Sequence, residues 1–392
     1  MTYDVASVRA QFPALAEGLA HFDGPGGTQV PEAVSNAIHE AYRSALSNRH
    51  GPFSSSRRAD AIVDGARAAA GDLLGCPADQ VFFGPSMTAN TYLLANALAA
   101  QWQPGDEVVV SRLDHDANVR PWVQAAERVG AVVRWADVDP VTTELPADQY
   151  EELVGPRTRL VAVTAASNAT GTRPEVRRIA DLAHAVGALV HVDGVHSTPH
   201  VVTDLDELGA DLYGCSAYKW YGPHAGLTSG PALREIRPQK LLPSSDAVPE
   251  RFELGTPGFA VLAGVTAAVD WIASHGTGSG RRERVVSGLA GIAAHEATIF
   301  DHLLDGLRSR PDVTIVGSPG RRTPTVSFLV TGRTPQQVSE DLGRAGVAAW
   351  AGNYYAVELM RRLGLQDSGG AVRAGVVGYT CAADVDRLLA AL

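Results

Sequence analysis

From about Asp106 onward the chain alternates two textures, and this alternation constrains its fold more than any other feature. Short continuous runs rich in Val, Ile and Leu lie at 108–111, 132–135, 159–165, 189–193 and 211–216. Between them come stretches with apolar positions three or four apart, as at 118–129 and 175–186. A run that is apolar at nearly every residue predicts a strand buried on both faces, and a 3.6-residue period predicts a helix. Strands joined in this way by helices form βαβ units, so an α/β fold is expected, with a mostly parallel sheet covered on both sides. Right-handed crossovers bring the carboxyl ends of such strands, and the loops after them, to one edge. Polar clusters follow the predicted strand ends: Asp114-His115-Asp116, Ser167-Asn168, Asp193 to His196, and Ser216 to Lys219. Their shared placement is the first sign of an active site.

Past a Pro-, Gly- and Ser-rich stretch at 243–258 the pattern changes. A long helical segment at 281–307 is followed by strand candidates at 313–316 and 325–330, a helix near 336–345, a strand near 372–376 and a closing helix at 383–392. This predicts a smaller α+β domain. The chain accordingly divides into a large domain at 15–260 and a small domain built from 1–14 and 261–392.

Charge and composition remove several functional classes. A net charge of −10 argues against nucleic acid, which needs a basic footprint. No apolar run reaches the ~18–20 residues of a membrane span, and the first residues show no apolar secretory core, so a cytoplasmic protein is expected. The three cysteines, Cys76, Cys215 and Cys381, are too few and too scattered for a disulfide framework or a zinc site, and no metal is expected.

The chemistry-bearing positions each allow two readings. Lys219 lies in Ser216-Ala217-Tyr218-Lys219-Trp220-Tyr221, among aromatic and small residues directly after a strand. Burial disfavours the charged form and leaves a nucleophilic amine, which suits Schiff-base formation with an aldehyde. The same lysine could instead lie along the surface with its head in water. Asp193 could keep a pyridine-type nitrogen protonated, strengthening the ring as an electron sink, or could simply cap a helix. His196 is open to a bond with a phenolic oxygen or to a satisfied, partly buried setting. Ser86-Met87-Thr88 lies between a strand at 81–83 and a helix at 89–100. There, backbone N–H groups and hydroxyls form a phosphate-type anion site or a plain cap. Gly24-Pro25-Gly26-Gly27 lacks the lysine of a nucleotide loop and reads as a turn near the site.

Taken together with His115, these features belong to one cofactor, pyridoxal 5'-phosphate. From His21 to Leu392 the chain resembles the class V aminotransferase group of fold type I enzymes, and within it the cysteine desulfurase-like proteins. The resemblance is carried by His21-Phe22-Asp23, Asp114-His115-Asp116-Ala117-Asn118, Ser167-Asn168-Ala169-Thr170-Gly171-Thr172, Val192-Asp193-Gly194-Val195-His196-Ser197, the Lys219 segment and Gly255-Thr256-Pro257. It implies a large domain with a mostly parallel, seven-stranded type of sheet. It makes Lys219 the Schiff-base lysine and proton shuttle, sets Asp193 on the pyridine nitrogen and stacks His115 on the ring. His196 and Asn168 then line the phenolic side, while Ser86, Met87, Thr88, Ser216 and Tyr218 hold the phosphate. Thr256 reaches the phosphate of a neighbouring subunit, which implies a homodimer with sites at the interface. Arg373 matches the arginine that binds the substrate carboxylate, and His50 a histidine on a substrate-side loop.

The chain departs from the desulfurase pattern where the persulfide-carrying cysteine belongs, because Tyr355 stands there. Trp350 replaces a common arginine, His196 the usual Gln, and Tyr218 the usual His. The implied enzyme acts on a small L-amino acid through a Schiff base and a carbanion at Cα. Elimination of a β sulfur substituent would make it a C–S lyase; reprotonation elsewhere would make it an aminotransferase or an epimerase. Tyr354 and Tyr355 are candidate walls or proton donors of the substrate pocket, and a non-catalytic cofactor-binding module is the reading of another class.

Overall fold

The computed structural model describes residues 3–392. Its strands, in chain order, are β1 (Ala20–His21), β2 (Val81–Gly84), β3 (Glu107–Ser111), β4 (Val132–Ala136), β5 (Thr158–Thr164), β6 (Leu189–Asp193) and β7 (Leu212–Ser216). They continue with β8 (Gly226–Ser229), β9 (Val313–Val316), β10 (Thr325–Val330), β11 (Val347–Ala348), β12 (Trp350–Gly352) and β13 (Ala371–Gly375).

Seven of them form one sheet in the order β2-β8-β7-β6-β5-β3-β4. Every pair from β7 to β4 is parallel, while β8 runs antiparallel to both of its neighbours. Alternate side chains explain why these runs are apolar throughout. Val109, Val161 and Val163 enter one core, against Leu73 and Ile179, while Val108, Val110, Leu160 and Ala162 enter the other, with Trp122 and Leu94. Completely burying a side chain of this size stabilises by about 1.5–3 kcal/mol, so each face supports its own helices.

A four-stranded antiparallel sheet, β12-β13-β10-β9, packs Val326, Phe328, Val372 and Ala374 against Leu303, Leu307 and Leu388. The short β1 pairs in parallel with β11, and Asp23 bridges to Gly375. The segment at 20–23 is therefore hydrogen-bonded to the C-terminal part of the chain.

The three longest helices that escaped the sequence pattern are Glu32–Arg43, Ser54–Leu74 and Phe259–Ser274. The last is buried by the other two and by Arg281–Arg308, so it is apolar nearly all round and shows no stripe. Its Gly264 permits the approach, because a Cβ there would lie 2.8 Å from Ile38. The helix expected at 118–129 begins at Arg120 instead. Asn118 closes a 3-10 turn, and Pro121, which has no N–H to donate, occupies the first helical turn.

Candidate active site

The carboxyl ends of β6 and β7 and the loop after β3 open onto one cavity of about 670 Å³, closed from the other side by residues 350–355 and Arg373. β7 ends at Ser216, and one 3-10 turn at Ala217–Lys219 brings the lysine into the cavity. Its Nζ donates to the Pro25 carbonyl and lies 5.1 Å from the centre of the Tyr218 ring. Burial lowers the amine to about 7, with Arg373 adding to the effect and Asp193 opposing it.

Asp193 is buried at the end of β6 and accepts the Val195 N–H at 2.8 Å. Burial raises its carboxyl to about 6, and Lys219 is the cation that opposes this rise. Burial raises the Asp114 carboxyl to about 8, against hydrogen bonds from Ser111 and Asn118 that lower it, and the Asp193 charge adds to the rise. His115 accepts the Ala117 N–H on Nδ1 at 3.0 Å, which leaves the proton of the neutral ring on Nε2. Burial, then Lys219 and Arg373, hold this imidazole down at about 4, so it is uncharged near neutrality.

Arg373 projects from β13, buried, with Nη1 donating to the Asn168 carbonyl at 3.0 Å and the guanidinium 4.3 Å from the centre of the Tyr354 ring. No carboxylate lies within ion-pair distance among the described residues, and Nε has no partner. Burial lowers even this group, to about 10. Asn168 donates from Nδ2 to the Tyr354 carbonyl at 2.9 Å, while its buried Oδ1 is unpaired. His196 is buried with Nε2 3.0 Å from Thr325 Oγ1, and burial holds its ring well below the usual imidazole range.

Met87 and Thr88 line the cavity at the N-terminus of the helix Met87–Ala99, whose preceding Ser86 spends its Oγ on the Ala89 N–H. Gly226 lets that turn approach, because a Cβ on it would lie 2.1 Å from the Ser86 carbonyl carbon. Ser216 and Tyr218 line the same end, and Tyr355 stands at the lip. Thr256 is exposed and lies outside this chain's cavity. So does His50, whose ring sits 3.5 Å from both Asp60 and Glu250.

Two features were not read from the sequence. His224 stacks on Tyr218 with ring centres 4.5 Å apart, and a signal existed in its position just past the lysine segment. The turn at 24–27 does more than neighbour the site: Pro25, Gly26 and Gly27 form its wall, and a Cβ on Gly27 would press the Tyr218 ring at 3.2 Å.

The large sheet, the small antiparallel sheet and a lysine just past a strand end, lining one cavity with an aspartate, define the fold type I class of pyridoxal 5'-phosphate enzymes. The chain belongs to the aminotransferase class-V family, which matches residues 20–388 and uses that cofactor. It is 37% identical over 402 residues to an uncharacterised protein of Mycobacterium tuberculosis, covering 100% of this chain and 99% of that one. A cysteine desulfurase of Klebsiella pneumoniae is 32% identical over 417 residues, covering 100% and 98%. The crystal structure of the Escherichia coli cysteine desulfurase CsdA in its S-sulfonic acid form superposes with a TM-score of 0.88 at 28% identity, covering 100% and 98%. No helix among the described residues is long and apolar enough to cross a membrane.

Proposed function

We propose that the chain removes the Cα proton of a small L-amino acid and releases a sulfur group from its β carbon, as a C–S lyase that forms no enzyme persulfide. The observation that carries this reading is the lining of the cavity: it brings together Lys219, Asp193 and Arg373 but contains no cysteine. Cys215 is buried within β7, and its thiol is pushed up to about 12 by burial, the reverse of what a nucleophilic thiolate requires.

The residues present fit the cofactor. The buried Asp193 carboxyl lacks a full counter-charge, the Asn168 Oδ1 is an orphaned acceptor, and the missing side chain of Gly226 leaves room for the turn before Met87. In this reading Lys219 holds the aldehyde carbon, Asp193 the ring nitrogen, and His115 stacks on the ring. Asn168 and His196 lie beside the phenolic oxygen. The backbone N–H groups of Met87 and Thr88, with Ser86, Ser216, Tyr218 and a Thr256 supplied by a second copy, hold the phosphate. Bound there, the cofactor would draw electrons from Cα and weaken the bonds to it.

The side chains do the rest. Arg373 presents Nε and Nη2 to the substrate carboxylate, because Nη1 is already committed to Asn168. An amine near 7 is about half unprotonated at neutral pH, so Lys219 Nζ can take the Cα proton and pass it on. Tyr355 contributes to the substrate side at the lip, and His50 to a substrate-side loop next to a second copy. The three thiols are unpaired, which is in keeping with a cytoplasmic setting.

The test is product analysis. Cysteine, cystine and cysteine S-conjugates incubated with the pure holoenzyme should yield pyruvate, ammonia and the released sulfur compound in equal amounts. Keto-acid exchange with a second amino acid and no pyruvate would replace this reading with an aminotransferase, the reaction for which the family is named.

A further inference from the structure

After β12 the chain makes a four-residue loop, Asn353-Tyr354-Tyr355-Ala356, whose two tyrosines have φ of 54° and 59°. Two successive bulky residues in the left-handed region are strained, and such strain persists only where the surroundings hold it. Here they do. The Asp116 N–H donates to the Tyr355 carbonyl at 2.7 Å, Asn168 Nδ2 donates to the Tyr354 carbonyl at 2.9 Å, and the Tyr355 N–H donates to Asn353 Oδ1 at 3.0 Å. The Tyr354 hydroxyl donates to the Ala371 carbonyl, two residues before Arg373.

The two rings diverge to different targets. Tyr355 stacks on the His115 imidazole with centres 5.4 Å apart and planes at 27°. Tyr354 lies under the Arg373 guanidinium at 4.3 Å. The hydrogen bonds close a circuit: the residue after His115 holds Tyr355, Asn168 holds Tyr354, and Arg373 holds Asn168 through its carbonyl.

We propose that Tyr354 and Tyr355 are paired positioning residues, one backing the imidazole that stacks on the cofactor and the other backing the guanidinium that takes the substrate carboxylate. The pair occupies the stretch where a desulfurase needs its thiol, so this chain has a fixed aromatic clamp at that place. The clamp deepens the reading of His115 and Arg373 given above and rests on it.

The groups facing His115 and Arg373 in this arrangement are Lys219, Asp23, the Tyr354 phenol and the Tyr355 ring. Tyr354 is itself pushed up by burial and stays neutral, so its ring acts through its electron-rich face. Tyr355 is 70% exposed, so truncating its ring leaves no core void, and its variants are expected to fold.

The experiment compares Tyr355→Phe, Tyr355→Ala, Tyr354→Phe and Tyr354→Leu in the full chain, with and without pyridoxal 5'-phosphate. In Tyr355→Ala the His115 imidazole, opened to water on the face that Tyr355 covers, should titrate higher than its depressed value, as followed by NMR. The visible circular dichroism of the bound cofactor should fall by at least half, while Tyr355→Phe leaves both unchanged. Tyr354→Leu should raise KM up to roughly tenfold with kcat held within twofold, as expected for loss of a partly buried cation–π contact, and Tyr354→Phe should raise it much less. A Tyr355→Phe variant as damaged as Tyr355→Ala would give the hydroxyl the role and overturn the proposal, as would an unmoved His115 titration in Tyr355→Ala. If the imidazole moves but no variant, nor the parent chain, gains a visible band with the cofactor, the clamp stands and the functional reading fails.

Discussion

At the scale of single residues, Lys219 is decided by the competition between burial and charge. Desolvation outweighs the nearby Asp193, and the result is an amine at about 7 in place of 10.5. Uptake of pyridoxal 5'-phosphate by the cofactor-free chain should accordingly accelerate with pH, with a midpoint near 7, in a stopped-flow absorbance assay. Lys219→Ala should give no visible band, and a surviving band would mean that another lysine holds the aldehyde. The sign of the stability effect follows as well. Between about pH 7 and 10.5 the folded chain binds fewer protons at this site than the unfolded one, so stability contributed by Lys219 rises across that window. Denaturant titrations of the cofactor-free chain should show this slope, and Lys219→Ala should lose it. Arg373 is a different case, a buried cation without a carboxylate partner among the described residues. Arg373→Lys should raise KM by roughly 10–100-fold with a smaller effect on kcat, because a bidentate charged bond worth about 1.5–3 kcal/mol becomes a single contact. These residues were legible in the sequence because lysine, aspartate and histidine at strand ends are few. Their orphaned atoms were not, since an unpaired Oδ1 or Nε exists only once the surrounding backbone is in place.

At the scale of elements, the parallel strands were readable because burial on both faces removes polar residues from the run itself. Leu160, fully buried in β5, shows what such a run contributes: Leu160→Ala should cost about 2–5 kcal/mol in equilibrium unfolding, the transfer loss plus a cavity. A loss below about 1 kcal/mol would mean that the second core collapses around the gap. The helix Ser54–Leu74 shows where legibility ends. It buries a face of small residues, Ala59, Ala66 and Ala70, and its pattern is too weak to separate from a loop. The strands β11 and β12 are two and three residues long, shorter than any period can reveal. Yet β12 leads directly into the tyrosine loop, so the least readable elements carry part of the candidate site.

At the scale of the whole molecule, Leu241, Leu242 and Leu254 are exposed, and so is Thr256, which lies outside the cavity of its own chain. The proposed dimer would cover these leucines and bring Thr256 to a neighbouring site, so sedimentation equilibrium should give a dimer; a strict monomer would remove Thr256 from the proposed phosphate site. Composition and periodicity determined the α/β class, the edge along which the chemistry gathers and the residue types gathered there, because burial imposes a two-residue period on strands and a 3.6-residue period on helices whatever their partners. Which polar group meets which was settled only by tertiary packing. Positions 115 and 355 are joined by a ring contact, and 168, 354 and 373 by single hydrogen bonds and a cation–π contact, across two sheets; contacts between residues far apart in the chain leave no trace in any local pattern.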